Sequence, residues 1–287
     1  MLIDTSENYY ELAWAVRDAI FTKIIGDGGG DLHGILDEFS DFECSHQILL
    51  ETRNGRLEEL NLNVAFLTGN AKILPLPEGA SPGPKAVELD DILKRVELLA
   101  GFVRDGGFDT VVELGAGYGL NLFRLHHALG NPPLRYIAAE YTESGRRLCD
   151  RLAKLDGSMA VETAFINHKQ PDLGFLKSAR KALIFTCHSI EQVARIPDDY
   201  FAVLAAAAPE VLGVHFEPFG FQVACDRPLT RRQKEFFDEK HWNGNLHACL
   251  RAAEAAGTIT VRDVELECFA AQSDNPTSLA VWEKPGV

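Results

Sequence analysis

The chain has 287 residues, 46% of them hydrophobic and 24% charged, and a formal net charge of −14. That negative field repels phosphate backbones and offers no counterion release on nucleic acid, so DNA and RNA are excluded as expected partners. No apolar run approaches the roughly 18 uncharged residues of a membrane span.

Residues 1–18 carry neither the basic nor the apolar region of a leader. Six cysteines are scattered without a CxxC pair, as free thiols in a reducing compartment would be. These features set the expectation of a soluble cytoplasmic protein without a membrane partner.

Residues 9–25 show helical spacing, GDGGG at 26–30 breaks it, and shorter helical or irregular pieces follow. The stretch LPLPEGASPGPK at 74–85 concentrates proline and glycine and reads as a linker. The expected division is a mainly helical N-terminal extension or substrate cap over residues 1–84 and a second domain over 85–287.

In the second part strands and helices alternate, the signature of a parallel sheet covered by helices on both faces. A helix over 87–103 leads to a strand at 110–114, a helix over 120–129 stops at Gly130, and a strand follows at 136–139. Thr142 caps the next helix, which Gly157 ends. Further strands are expected at 160–166, 182–186 and 211–216, with Pro197 starting the helix before the last of them. After a helix over 246–256, two extended runs at 258–269 and 279–283 lack a helix between them and must pair antiparallel.

The basic residues Arg227, Arg231, Arg232 and Lys234 form a local cluster in an acidic chain. A solvated loop or helix start accounts for it, and recognition of an acidic substrate is the functional alternative.

Residues 111–119 read VVELGAGYG, with an acid and three alternating glycines where a buried strand turns into a helix. That is where a doubly wound sheet places its ligand crevice. A dinucleotide fingerprint would read GxGxxG, but Leu120 stands where its third glycine belongs, which disfavours NAD and FAD. Glu140 ends the second strand, 21 residues after Gly119, where a carboxylate can accept bonds from both ribose hydroxyls.

With these residues the chain resembles the class I S-adenosylmethionine-dependent methyltransferases. ELGAGYG looks like their first motif and Glu140 like their ribose-binding acid, and the closing antiparallel pair is theirs too. The resemblance covers about residues 87–287. It implies a Rossmann-like, mostly parallel sheet with an antiparallel last strand and S-adenosyl-L-methionine as cofactor. It assigns Glu113, Gly115, Ala116, Gly117, Tyr118 and Gly119 to the methionine end. Tyr141 and Cys187 fall in the same site, and Asn167 is the nearest match to the family's adenine-side residue, where many members carry aspartate.

Ligands of such sheets lie beyond the carboxyl ends of the strands, which directs attention to CHSIEQ at 187–192 and HFEPFG at 215–220. His188 is the first candidate for a base, because an imidazole exchanges a proton near neutrality. Glu191 and Glu217 are candidates to orient it or to meet the substrate. His188, Glu191, His215 and Glu217 lack a specific metal-binding spacing, so no metal is expected.

HWNGNLH at 241–247 reads as a helix-entry loop or as a lid. The expected activity is methyl transfer to a small molecule, oxygen slightly favoured over nitrogen. The alternatives are a protein side-chain methyltransferase and a non-catalytic S-adenosylmethionine-binding module. The extension is either a lid or a homodimer contact.

Overall fold

The computed structural model describes residues 5–26, 30–51, 57–60, 71–75, 84–271 and 275–286. The extension opens with two helices, α1 (Thr5–Gly26) and α2 (Leu32–Ser45), as its helical spacing predicts. Where shorter helical or irregular pieces are expected next, it instead forms strands. Strands β1 (His46–Glu51), β2 (Leu57–Leu60) and β3 (Ala71–Pro75) form an antiparallel sheet in the order β2-β1-β3. Periodicity over runs of four to six residues cannot separate strand from helix.

Within the GDGGG break, residues 27–29 lie outside the described residues, as do residues 76–83 of the expected linker. The linker's last two residues already belong to α3 (Pro84–Gly106), which starts earlier than predicted. Proline is compatible with a helix's first turn, where its missing N–H has no partner to lose.

The core sheet comprises β4 (Thr110–Leu114), β5 (Arg135–Glu140), β6 (Val161–Phe165), β7 (Lys181–Cys187), β8 (Glu210–Glu217), β9 (Thr260–Phe269) and β10 (Thr277–Glu283). Their order is β6-β5-β4-β7-β8-β10-β9, with β4 through β8 parallel and β10 antiparallel to both neighbours. The chain runs outward from β4 to β6, then returns to β7 on the other side of β4. The ligand crevice of such a sheet opens at this reversal, beyond the carboxyl ends of its strands.

Helices α4 (Leu120–Ala128), α5 (Glu143–Asp156), α6 (Tyr200–Ala206), α7 (Pro228–Lys240) and α8 (Leu246–Ala255) complete the core. The helix before β8 begins at Tyr200, later than the expected start at Pro197, because Pro197 instead closes a turn by accepting the Tyr200 N–H at 3.0 Å. Thr142 and Gly157 cap α5 as predicted, the hydroxyl accepting the Gly145 N–H at 3.2 Å and the glycine turning left-handed at φ 64°.

Every residue of β4 is buried, as expected of a central strand covered on both faces. Successive side chains go to opposite sides. Val111 packs with Leu183 and Val214 toward α3 and α4, while Val112 packs with Ile137 and Ile184 toward α6 and α8. Ala13, Ile20, Leu36 and Phe39 of the extension join the Val111 side, so α1 and α2 share the core of the sheet.

Trp282 is fully buried opposite Gly213, where a Cβ would lie 2.1 Å from the indole. No described helix is long and apolar enough to cross a membrane.

Candidate active site

The turn after β4 is the floor of a cavity of about 350 Å³ at the crevice. Gly115, Gly117 and Gly119 have φ of 81°, 55° and 87°, the left-handed region that other residues enter at a cost. At Gly117 crowding adds to this, since a Cβ would sit 2.7 Å from the Trp14 ring of α1. Gly119 caps α4 and packs toward Cys149 and Phe123, and it does not line the cavity as the motif implied. Glu113, Gly115, Ala116, Gly117 and Tyr118 do line it.

Glu140 ends β5 at the cavity wall, beside the glycine turn. Its Oε2 accepts the Gly117 N–H at 2.8 Å, and its Oε1 accepts the N–H and hydroxyl of Thr142 at 2.8 and 2.7 Å. The carboxylate therefore locks the turn to the start of α5. Each carboxylate oxygen carries about two acceptor sites, so Oε2 retains capacity for a ligand hydroxyl.

Glu113 is 1% exposed. Its Oε1 accepts the Asn121 side-chain amide at 2.6 Å, and its Oε2 is buried without a partner. Burial pushes its carboxyl up to about 8, Asn121 and Arg95 working against the rise and Glu140 with it. A buried, bare carboxyl oxygen beside a glycine turn is suited to a cationic group brought in by a ligand.

Tyr141, Asn167 and Cys187 line the same cavity. Asn167 is also a turn residue, its Oδ1 accepting the Lys169 N–H at 2.9 Å. The Tyr141 ring lies 5.5 Å from that of Phe165, which is 56% exposed and carries the Arg146 guanidinium 5.5 Å from its centre.

His188 lines the cavity on a left-handed backbone with φ of 51°, uncommon for a non-glycine and a form of strain found at functional sites. Its Nδ1 lies 2.9 Å from Glu191 Oε2, and its Nε2 lies 2.6 Å from Thr277 Oγ1. Burial works to lower its pKa, but the Glu191 charge and hydrogen bond outweigh that and hold the imidazole above its usual range.

Glu191 does not line the cavity; it sits behind His188 and also accepts the Asn275 amide at 3.1 Å. Glu217 is fully buried and likewise outside the lining. Its carboxylate accepts the N–H groups of Ser189, Ile190 and Glu191, each at 3.1 Å, and so anchors the short turn that carries His188. Burial pushes it up to about 7.

The remaining histidines near the strand ends are held by protein partners. His215 is buried between Thr186 Oγ1 at 3.0 Å and the Trp282 N–H at 2.9 Å, and burial drops it to about 3. His168, which motif spacing does not single out, lines the cavity beside Asn167. Its ring nitrogens lie 2.8 Å from the Tyr200 hydroxyl and 3.2 Å from that of Ser189, and burial lowers it to about 4, leaving a neutral imidazole. Among the described residues no cluster of three or more His, Cys, Asp or Glu could hold a metal.

The other side of the cavity comes from the extension and α3, with Tyr10, Trp14, Arg17, Ser40 and Arg95 in the lining. Glu11 fastens α1 to the core by accepting the N–H groups of Glu143 and Ser144 at 2.7 and 3.0 Å, which caps α5 a second time. Burial works to raise the Glu11 pKa, but the hydrogen bonds from Ser144 and Glu143 outweigh it and hold the carboxylate low. Arg151 pairs with Asp18, and Arg124 reaches Asp37 at 2.7 Å.

Elsewhere the cluster at 227–234 is structural where its contacts are visible. Arg227 pairs with Glu267, and Arg231 bonds the carbonyls of Cys225 and Asp226 at the start of α7. HWNGNLH is a loop packed on the core, Asn245 bonding both the N–H and the carbonyl of Ile196.

A doubly wound parallel sheet closed by an antiparallel strand, with a glycine turn at its reversal and an acid ending the neighbouring strand, defines the class I methyltransferase fold. No protein-family model matches the chain, and no curated protein matches it in sequence. Among solved structures it is similar to EvdMO1, with 16% identity and a TM-score of 0.42 over 69% of this chain and 41% of that one. The chain thus spans less than half the length of EvdMO1. It is also similar to magnesium protoporphyrin IX methyltransferase (ChlM) from Synechocystis PCC 6803 with bound SAH, with 11% identity and a TM-score of 0.49 over 73% and 90% of the two chains. Geranyl diphosphate C-methyltransferase from Streptomyces coelicolor A3(2) gives 15% identity and a TM-score of 0.45 over 74% and 86%.

Proposed function

We propose that the cavity binds S-adenosyl-L-methionine and that the protein transfers its methyl group to a small molecule. The observation that carries this reading is the convergence of three features on one cavity: the left-handed glycine turn, the bare buried oxygen of Glu113 and the strand-end carboxylate of Glu140. Each fits a different part of the cofactor. Glu113 Oε2 suits the methionine ammonium, Glu140 the ribose hydroxyls, and Tyr141 with Asn167 the adenine.

When bound, the cofactor supplies an electrophilic methyl on a sulfonium, which an acceptor takes by in-line displacement. The chain's own contribution is alignment and proton handling. Glu191 at Nδ1 fixes the tautomer in which His188 Nε2 is the basic atom. In that tautomer Nε2 accepts the Thr277 hydroxyl at 2.6 Å. To take an acceptor's proton, Nε2 needs the Thr277 side chain to rotate its oxygen away from that single lone pair and the acceptor's hydroxyl to take its place. Glu217 holds the turn beneath and acts through position. A histidine base suits hydroxyl acceptors slightly better than amines, which favours O-methylation.

Calorimetry with S-adenosylhomocysteine and NAD tests the cofactor, and a labelled-methyl screen of metabolites and proteins tests the acceptor. Binding of S-adenosylhomocysteine but not NAD, with label in small molecules, is expected. Tight NAD binding without S-adenosylhomocysteine binding overturns the reading, label confined to proteins redirects it to side-chain methylation, and binding without turnover on any acceptor leaves a binding module.

A further inference from the structure

His188 stands on a left-handed backbone, a conformation that persists only where the surroundings over-determine it. From the β8 side, the Phe216 carbonyl accepts the His188 N–H at 3.0 Å and Glu217 accepts the next three N–H groups. From the β4 side the hold comes through Ser189. A Cβ on Gly115 would lie 2.2 Å from the Ser189 Cβ, so the bare glycine lets the turn after β7 close onto the turn after β4. There the Ser189 hydroxyl donates to the Leu114 carbonyl at 2.8 Å.

His168 backs that hydroxyl, with Nε2 3.2 Å from Ser189 Oγ and Nδ1 2.8 Å from the Tyr200 hydroxyl. Burial keeps its imidazole neutral, so one ring nitrogen donates and the other accepts. Tyr200 is fully buried, and burial keeps its phenol protonated. Among the described residues His168 Nδ1 is the hydrogen-bond partner of that phenol. With Tyr200 donating to Nδ1, Nε2 carries the ring hydrogen and donates to Ser189 Oγ, whose own hydrogen goes to Leu114. Every donor in the chain is then used, whereas the other tautomer strands a buried phenol hydrogen at a cost. We propose that His168 is a positioning residue for His188: its Nε2–H fixes the Ser189 hydroxyl on Leu114 and so pins the His188 turn to the end of β4. The assignment rests on the reading of His188 as the base. His168 follows Asn167 in the loop after β6, so the proposed adenine side of the cavity and the proposed base share one hydrogen-bond chain.

The test reads the histidine rings by long-range proton–nitrogen NMR of the full chain, without cofactor or acceptor. Burial works to lower the His188 pKa, Glu191 and Glu217 raise it and Arg95 lowers it, so its titration midpoint reports where the ring sits among these charges. In wild type His168 should show the neutral Nε2–H pattern throughout the range in which His188 titrates. His168→Leu and Ser189→Ala break the link from either end, and each should bring the His188 midpoint down toward its ordinary value by about 0.5 pH or more. The double variant should move it no further than the larger single change. His168→Gln, whose amide nitrogen can stand where Nε2 does, should keep most of the wild-type midpoint.

An Nδ1–H tautomer at His168, or a wild-type midpoint in His168→Leu, overturns the assignment. So do additive shifts in the double variant, or a shift in His168→Gln as large as in His168→Leu. If His168→Leu fails to fold, His168→Asn, which can still meet Tyr200 but falls short of Ser189, takes its place with the same expected shift. Failure of the underlying reading shows elsewhere, in wild type that does not bind S-adenosylhomocysteine or in His188→Ala that keeps its turnover.

Discussion

The two sides of the cavity are built by different means. The sheet side consists of a glycine turn, the Glu113 carboxyl and the Glu140 carboxylate, all supplied by β4, β5 and the connection between β4 and α4. The opposite side consists of Trp14 and Arg17 from α1, Ser40 from α2 and Arg95 from α3, brought over from the extension and the helix that precedes the sheet. On the sheet side strand ends and backbone conformation do the positioning, so function follows from topology. On the cap side single side chains do it, held by ion pairs such as Arg124 to Asp37 and by the Glu11 cap on α5. The sheet side should therefore tolerate substitution least.

The largest effect is expected at Gly117. Gly117→Val combines a left-handed φ of 55° with a Cβ 2.7 Å from Trp14, and it displaces the N–H that Glu140 accepts. S-adenosylhomocysteine binding should be abolished in calorimetry. Pairing Gly117→Ala with Trp14→Ala sharpens the comparison: relief of the clash should leave only the left-handed strain, about 1–2 kcal/mol.

Next comes the proposed base. His188→Ala should lower turnover on the order of 100-fold while cofactor affinity stays nearly constant. Loss of cofactor binding with turnover per bound cofactor intact would make the residue structural. Because Glu191 holds the imidazole above its usual range, and a base works only when deprotonated, kcat should rise with pH through that raised value. Glu191→Gln removes the raising charge and should move the rising limb to lower pH, visible in a kcat–pH profile.

Glu113 gives the third effect. Its folded-state carboxyl titrates at about 8 against an ordinary 4.5, so the apo protein loses stability as pH climbs between these values. A ligand ammonium binds the ionised form, so S-adenosylhomocysteine affinity should strengthen as pH rises toward about 8 and then level off. Glu113→Gln should flatten that dependence, which calorimetry across pH would show.

The smallest effect belongs to the cap side. Glu11→Ala removes the second cap of α5 and should cost about 1 kcal/mol, read as a lower Tm, without abolishing cofactor binding. Cofactor binding lost with the Tm unchanged would mean that α1 organises the cofactor site directly.

The legible parts of the protein are those whose signal is local. The apolar run of β4, the Thr142 and Gly157 caps of α5, and the antiparallel pairing of β9 with β10 follow from residues close in sequence. So does the ELGAGYG turn, because positive φ selects glycine one position at a time. The strands of the extension were not legible, being too short for periodicity to identify.

The separation of His188 from its supports was not legible either. Glu191 and Glu217 carry the same chemical potential in sequence, and only the packing of β8 against the 187–192 turn makes Glu217 an anchor and Glu191 a partner. Arg95 left a faint trace, as the one cation on the stripe formed by Ile92, Val96 and Leu99 at helical spacing. Sequence alone determined the sheet, the glycine turn and the acid beside it, since each depends on backbone propensity and short-range pattern. Which side chains meet across the cavity was decided only by tertiary structure, because burial is a property of neighbours more than ten residues away.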